Sequence, residues 1–379
     1  MTTKVPSRML AAGAAASNLD NGSVTTAKIA DANVTPAKLA NSGYELGSRN
    51  VIINGEMKIA QRGTSFAAVA DGTYTMDRWS YWHSSDAAVT ITQDTDVPSS
   101  TTFKKSLKLA VTTADTSIAA GQYSFLRYVV EGYDFACFVG KAATMSFWVK
   151  AYKAGTYSIT FRNSGSDRSY AVEYTVNASN TWEYKTVNLT FNYSGGTWDF
   201  TNGTGLKISF ALACGSTYAG ATGSWASADY RGSTGQTNGL DSTSNTFFLT
   251  GVQFEIGSTA TQFEVRPYGT ELALCQRYFQ KIDSLMGTGQ ATTTVTSCIE
   301  FPVEMRASPT VSLSAAAKVS DFTVQDYVQS SASVTINGGT RVSAKGAMLN
   351  FANFSGLTLY RPVGMIPSES GNLLFTAEL

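Results

Sequence analysis

At 379 residues, with 33 glycines, 15% charged and 12% aromatic side chains, the chain is long enough for two ordinary domains rather than one compact ball. Lys plus Arg and Asp plus Glu balance at 28 each and no run of like charges stands out, which removes the footprint of nucleic acid or of an anionic membrane. No run of about 18 apolar residues offers a bilayer span, and Met9 to Ala16 is mostly alanine, too weak for a secretory signal, so assembly in a cytoplasm is expected. Ser, Thr and aromatic side chains throughout favour short strands joined by turns, an all-β chain.

Residues 1–48 hold a repeat of period ten at 21–40, with the shared pattern Val-Thr-x-Ala-Lys-(Ile/Leu)-Ala. Each copy offers two sizeable apolar side chains, Val24 with Ile29 and Val34 with Leu39, too few for a core of its own. Identical chains around a symmetry axis would supply the missing neighbours, making this an extended anchoring and oligomerisation arm; a flexible linker is the alternative.

Residues 49–266 change to dense period-two alternation. The clearest runs are Ser106 to Val111, Tyr123 to Val130, Thr144 to Ala151, Thr156 to Arg162, Tyr170 to Val176, Trp182 to Phe191, Leu206 to Ala213 and Phe247 to Ile256. Their number and spacing fit two stacked sheets, with a jelly-roll β-sandwich as the preferred topology. Trp79 and Tyr81 share one face of a strand and Trp82 takes the other, so at least one side belongs to the core. Cys214 to Asn245 is a Gly/Ser/Thr-rich loop, longer than connections without secondary structure usually are. For residues 267–379 the pattern predicts a helix at Glu271 to Ile282, N-capped by Thr270, and then a smaller β domain with strands at Thr293 to Phe301, Pro309 to Leu313, Phe322 to Val328, Ser333 to Ile336, Ala347 to Phe351 and Leu373 to Ala377.

Several strings resemble those of bacteriophage tail-fibre and related virion fibre proteins. They are Asn50 to Gly55, Gln61-Arg62-Gly63 and Tyr74 to Trp79 near the start; Gly251 to Gly257 running into Phe263 to Gly269 and Glu271 to Phe279; and Phe301 to Val311 and Phe375 to Leu379 at the end. The central block, with Met145 to Ala151 and Ala154 to Tyr157, is similar to jelly-roll carbohydrate-binding modules. The resemblance implies a homotrimer in the phage particle. Its N-terminus would contact other tail or particle proteins, and its β domains would meet host cell-surface polysaccharide. A head-fibre, collar or other structural role without receptor binding is the alternative, and a glycan depolymerase a further one.

Catalysis finds little support in the residues. No carboxylate pair forms a recognisable string, no G-x-S-x-G elbow or P-loop lysine is present, and Asp77 and Glu255 read as structural pairing groups, so no enzyme and no catalytic residue are expected. Arg62, Arg78, Arg266 and Arg277 read as partners of carboxylates. No cofactor or metal is expected: His83 is the single histidine, no loop carries alternating acidic ligands for calcium, and Cys137, Cys214, Cys275 and Cys298 are spaced as buried free thiols. Glycan binding needs aromatic faces with amides and carboxylates beside them. The long loop offers Tyr218, Trp225 and Tyr230, with Gln236, Asn238 and Asp241, and Trp198 could join them; Trp225 and Gly235 to Asn238 also resemble a recurrent pattern of the fibre proteins, which implies the alternative that the loop packs onto the sandwich.

Overall fold

The computed structural model describes residues 49–99, 101–322, 326–328, 335–336, 341–365 and 371–379. Val24, Ile29, Val34 and Leu39, the expected anchoring contacts, lie outside the described residues.

Period-two alternation produces ten strands of five or more residues within 49–266. They are β1 (Trp79–His83), β2 (Ala88–Asp94), β3 (Ser106–Thr113), β4 (Tyr123–Glu131), β5 (Ala142–Ala151), β6 (Gly155–Asn163), β7 (Ser169–Val176), β8 (Glu183–Thr190), β9 (Thr204–Cys214) and β10 (Thr246–Ile256). One helical turn, α1 (Gly132–Phe135), separates β4 from β5. The first sheet runs β2-β3-β10-β5-β8, with Ser65–Phe66 outside β2. The second runs β7-β6-β9-β4-β1, with Trp225–Ala226 outside β7 and Thr73–Tyr74 outside β1. The chain passes repeatedly from one sheet to the other and all of these pairings are antiparallel, which makes the block a jelly-roll β-sandwich.

Alternation decides which side chains fill the sandwich. From β9, Leu206, Ile208, Phe210 and Leu212 enter the core, while Lys207 and Ser209 face outward; β6 sends in Tyr157, Ile159 and Phe161 and turns out Ser158, Thr160 and Arg162. Rings meet across the layers, Phe147 on Phe210 at 5.2 Å and Phe161 on Phe254 at 5.5 Å. Trp79 and Tyr81 are completely buried on the core side. Trp82, on the opposite face, lies under the Arg127 guanidinium at 3.7 Å.

The family-like strings form the closing junction of this sandwich. Asn50 donates to the Val252 carbonyl (3.1 Å) and accepts from the Phe254 and Ile52 amides. Asp77 accepts from the backbone and side chain of Gln61 (2.7 and 2.6 Å), and Glu255 from Thr261 and Gln253. The four arginines pair as expected: Arg62 and Arg78 with Glu378, Arg266 with Glu264 and Glu271, and Arg277 with Glu131. Arg78 takes a left-handed φ of 71°, donates to the Val129 carbonyl at 2.6 Å and lies 3.4 Å over the Tyr278 ring.

The helix differs from expectation in both extent and cap. It is α2 (Tyr268–Gln276), capped by Pro267 without a side-chain bond. Proline fixes the backbone just before the first turn, earlier than Thr270 would. The predicted second half is instead a strand, β11 (Phe279–Ile282), because it pairs residue by residue with Leu373–Thr376.

Beyond it follow β12 (Met286–Ala291), β13 (Thr294–Glu300), β14 (Thr310–Leu313), β15 (Lys318–Ser320), β16 (Gly346–Phe351), β17 (Pro362–Met365) and β18 (Leu373–Thr376), with short strands at Asp326–Val328 and Thr335–Ile336. They form a three-stranded sheet, β11-β18-β14, and a larger one containing β15-β17-β12-β13-β16. A second core, including Val295, Leu349, Phe351, Leu373 and Phe375, lies among them. Cys275 and Tyr278 belong to the first core and Leu379 packs against it. Of the four thiols, all expected to be buried, only Cys275 is; Cys298 is exposed because it points outward from β13, and Cys137 and Cys214 are half-buried.

Candidate functional site

The long loop after β9 lies across the outer face of the second sheet. The Ser233 amide donates to Ser158 Oγ (3.1 Å), the Tyr230 amide to Ser169 Oγ (3.1 Å) and Ser169 Oγ to the Ala228 carbonyl (2.7 Å). Ala219–Gly220 and Gly232–Ser233 pair in parallel. A Cβ at Gly220 would stand 2.1 Å from the Tyr230 ring, so the absence of a side chain there lets the ring lie flat on the backbone.

The seven residues expected to bind glycan fall into separate places. Trp198 and Trp225 come together edge to face at 5.7 Å, in a cluster with Phe191, Tyr193 and the Phe135 ring of α1. Their indole N–H groups donate to the Gly195 (3.0 Å) and Thr190 (2.8 Å) carbonyls. Tyr218 stands against Tyr123, with the Arg231 guanidinium 4.0 Å over its ring, and Tyr230 covers Gly220. The polar three serve the loop itself. Gln236 Oε1 accepts from Ser158 Oγ (2.5 Å), Asn238 bridges the Asp115 carbonyl and the Leu240 amide (2.9 Å each), and Asp241 pairs with Lys153 and accepts from Asn245 (2.8 Å).

Beside the two tryptophans, an open depression of about 600 Å³ is lined by Ser164, Gly165, Thr197, Trp198, Asp199, Phe200 and Thr201. Phe200 remains 37% exposed, an unusual amount for a ring in a packed cluster. It lies nearly parallel to Phe135 (6.2 Å) and next to Tyr193 (5.8 Å). Thr201 donates from both Oγ1 and backbone to Asp199 (2.7 Å each), which holds that carboxyl below its usual range. At the rim, Asp167 is lowered too, by bonds from Asn163 and then from the Thr197 amide. The arrangement offers aromatic surface, hydroxyls and ionised carboxylates to a neutral polyol. Sequence reading singled out Trp198 but not Phe200 or Tyr193. The run Trp198-Asp199-Phe200 was the available signal; the Phe135 ring beneath it comes from more than sixty residues away. Among the described residues no group of three or more His, Cys, Asp or Glu could hold a metal ion.

No protein-family model and no curated protein matches the sequence. Among solved structures, the enzymatically active domain of tailspike protein 4 of bacteriophage CBA120 matches over 50% of this chain at 16% identity and a TM-score of 0.27; the match covers 21% of the tailspike chain. A CBM4 structure matches over 54% of this chain and 98% of its own at 17% identity and 0.31. A putative sugar-binding protein from Bacteroides thetaiotaomicron matches over 55% of this chain and all of its own at 10% and 0.33. Likenesses this loose transfer no activity.

Proposed function

We propose that the chain is a virion fibre protein of a bacteriophage that attaches to host-surface glycan through the Trp198 end of its jelly roll, without cleaving what it binds. The observation that carries the glycan reading is the open depression, where the exposed Phe200 ring and the half-buried Trp198 stand beside Asp199, Thr201 and Ser164. Sugars present apolar C–H faces to stack on rings and hydroxyls to bond with such groups. The carboxylates at the depression favour binding over hydrolysis. Asp167 and Asp199 are both held below the usual carboxylate range, so neither retains a proton for a leaving group as a glycosidase acid must.

The fibre part of the reading rests on the ten-residue repeat and on the motif strings, and it carries a homotrimer anchored to tail or particle proteins through residues 1–48. A head-fibre or collar protein of the same build would lack the glycan contact. The test is an array of bacterial surface polysaccharides, with the length of any bound polymer followed over time. Retention of at least one polysaccharide with its length unchanged is expected. Polymer shortening would replace this reading with a depolymerase, and no retention on any surface polysaccharide would remove attachment.

A further inference from the structure

The outward face of the second sheet carries an excess of buried positive charge. The strand register aligns Arg127 of β4 with Ser209 of β9 and Thr160 of β6, and in the next row Val129, Lys207 and Arg162. Alternate strands lie about 9.5 Å apart, so Arg127 and Arg162 flank the β9 residues between them. Arg127 is 9% exposed, Arg162 3%, and Ser209 and Thr160 not at all. Nε of both arginines, Ser209 Oγ and Thr160 Oγ1 are buried without a hydrogen-bond partner among the described residues.

The charges do not balance. Lys207 faces Arg162, Arg127 and Arg231, with Asp229 as the acid that reaches it, and Asp229 is already shared between Arg162 (2.6 Å) and Arg231 (2.7 Å). Burial and these neighbouring cations push the Lys207 ammonium down to about 8; burial, helped by Arg162 and opposed by Tyr74 and Asp71, holds Arg127 down to about 10. Buried charge of one sign and unmade hydrogen bonds both oppose folding unless a partner compensates them.

We propose that this face is an anion-binding site that takes the carboxylate of an acidic saccharide, held by Lys207, Arg127 and Arg162. Two observations favour a saccharide as the carrier. Lys207 Nζ donates to the Ser164 carbonyl (2.9 Å) and Ser166 Oγ (2.7 Å), and Ser164 also lines the depression, so one turn joins the two places. The rim is aromatic: Trp82 lies under Arg127, and Tyr123 and Tyr218 lie under Arg231 at 4.1 and 4.0 Å. The saccharide source rests on the glycan reading above, whereas the anion chemistry does not.

The test uses the unmodified chain and two nuclear magnetic resonance probes, the Lys207 Nζ titration for the anion site and the Trp198 indole N–H for the depression. Sodium glucuronate, glucose and inorganic phosphate are added separately. Glucuronate is expected to raise the Lys207 midpoint from about 8 toward its ordinary value and to bind at least about tenfold more tightly than glucose, with Lys207→Gln weakening it by a similar factor. A Lys207 midpoint that neither glucuronate nor phosphate moves overturns the anion site, whatever Trp198 does. Phosphate acting as strongly as glucuronate overturns the saccharide source. A Lys207 response with an unmoved Trp198 upholds the anion site while removing the depression.

Discussion

Arg78 is fully buried, and its Glu378 partner is only 4% exposed. Removing one member of a buried pair strands the other, which is worth about 3–5 kcal/mol. Glu378→Gln is therefore expected to lower the urea unfolding free energy by about that amount; a loss within the range of surface substitutions would mean that Arg78 is neutralised elsewhere. Lys207 gives the opposite sign. Its folded value, about 8, lies below its ordinary 10.5, so between those values the unfolded chain holds the proton and the folded chain does not, and stability from this group rises with pH. Wild type is expected to gain stability relative to Lys207→Met from pH 7.5 to 10, and parallel pH profiles would contradict the burial of that ammonium. Residue roles set by local strings were legible in the sequence, such as the arginine–carboxylate pairs and the opposite faces taken by Trp79 and Trp82, though not which of those faces is core. The convergence of Arg127, Lys207 and Arg162 was not, because it arises from the register of three strands.

At the scale of elements, alternation marked the long strands because each has one face in the core, and this is the part of the fold most readable from sequence. Periodicity misplaced the end of α2, since Phe279 and Ile282 suit a helix face as well as a strand edge until Leu373–Thr376 pairs with them. Met286–Ala291 carries two glycines and Pro362–Met365 opens on proline, so neither announced itself as a strand. The aromatic residues of the long loop suited either glycan binding or packing onto the sandwich, and Tyr230 and Gln236 are used in laying it on the sheet. Within the loop, Gly220 lies against the Tyr230 ring. Gly220→Ala is expected to lift Tyr230, to destabilise the chain by about 1–3 kcal/mol and to speed proteolysis within 214–245; an unchanged cleavage rate would show that the loop is held from elsewhere.

Taken whole, the described chain joins two apolar cores through α2 and its final residues, since Cys275 of α2 belongs to the first core, Leu379 packs against it and Phe375 belongs to the second. The junction strings thus have a structural use that does not depend on what the sandwich binds. Assembly is a separate matter that the proposed reading assigns to the repeat: mass photometry of the full chain is expected to give three times the 40.4 kDa chain mass, and a monomer would contradict the fibre reading. The central claim is that the Trp198 end of the jelly roll holds saccharide. The most direct measurement is a calorimetric titration of wild type, Trp198→Ala and Phe200→Ala with a polysaccharide retained on the array, after circular dichroism has shown the variants folded. An affinity loss of about tenfold or more in both variants is expected; unchanged affinity in both would contradict the assignment and move the binding surface elsewhere on the sandwich.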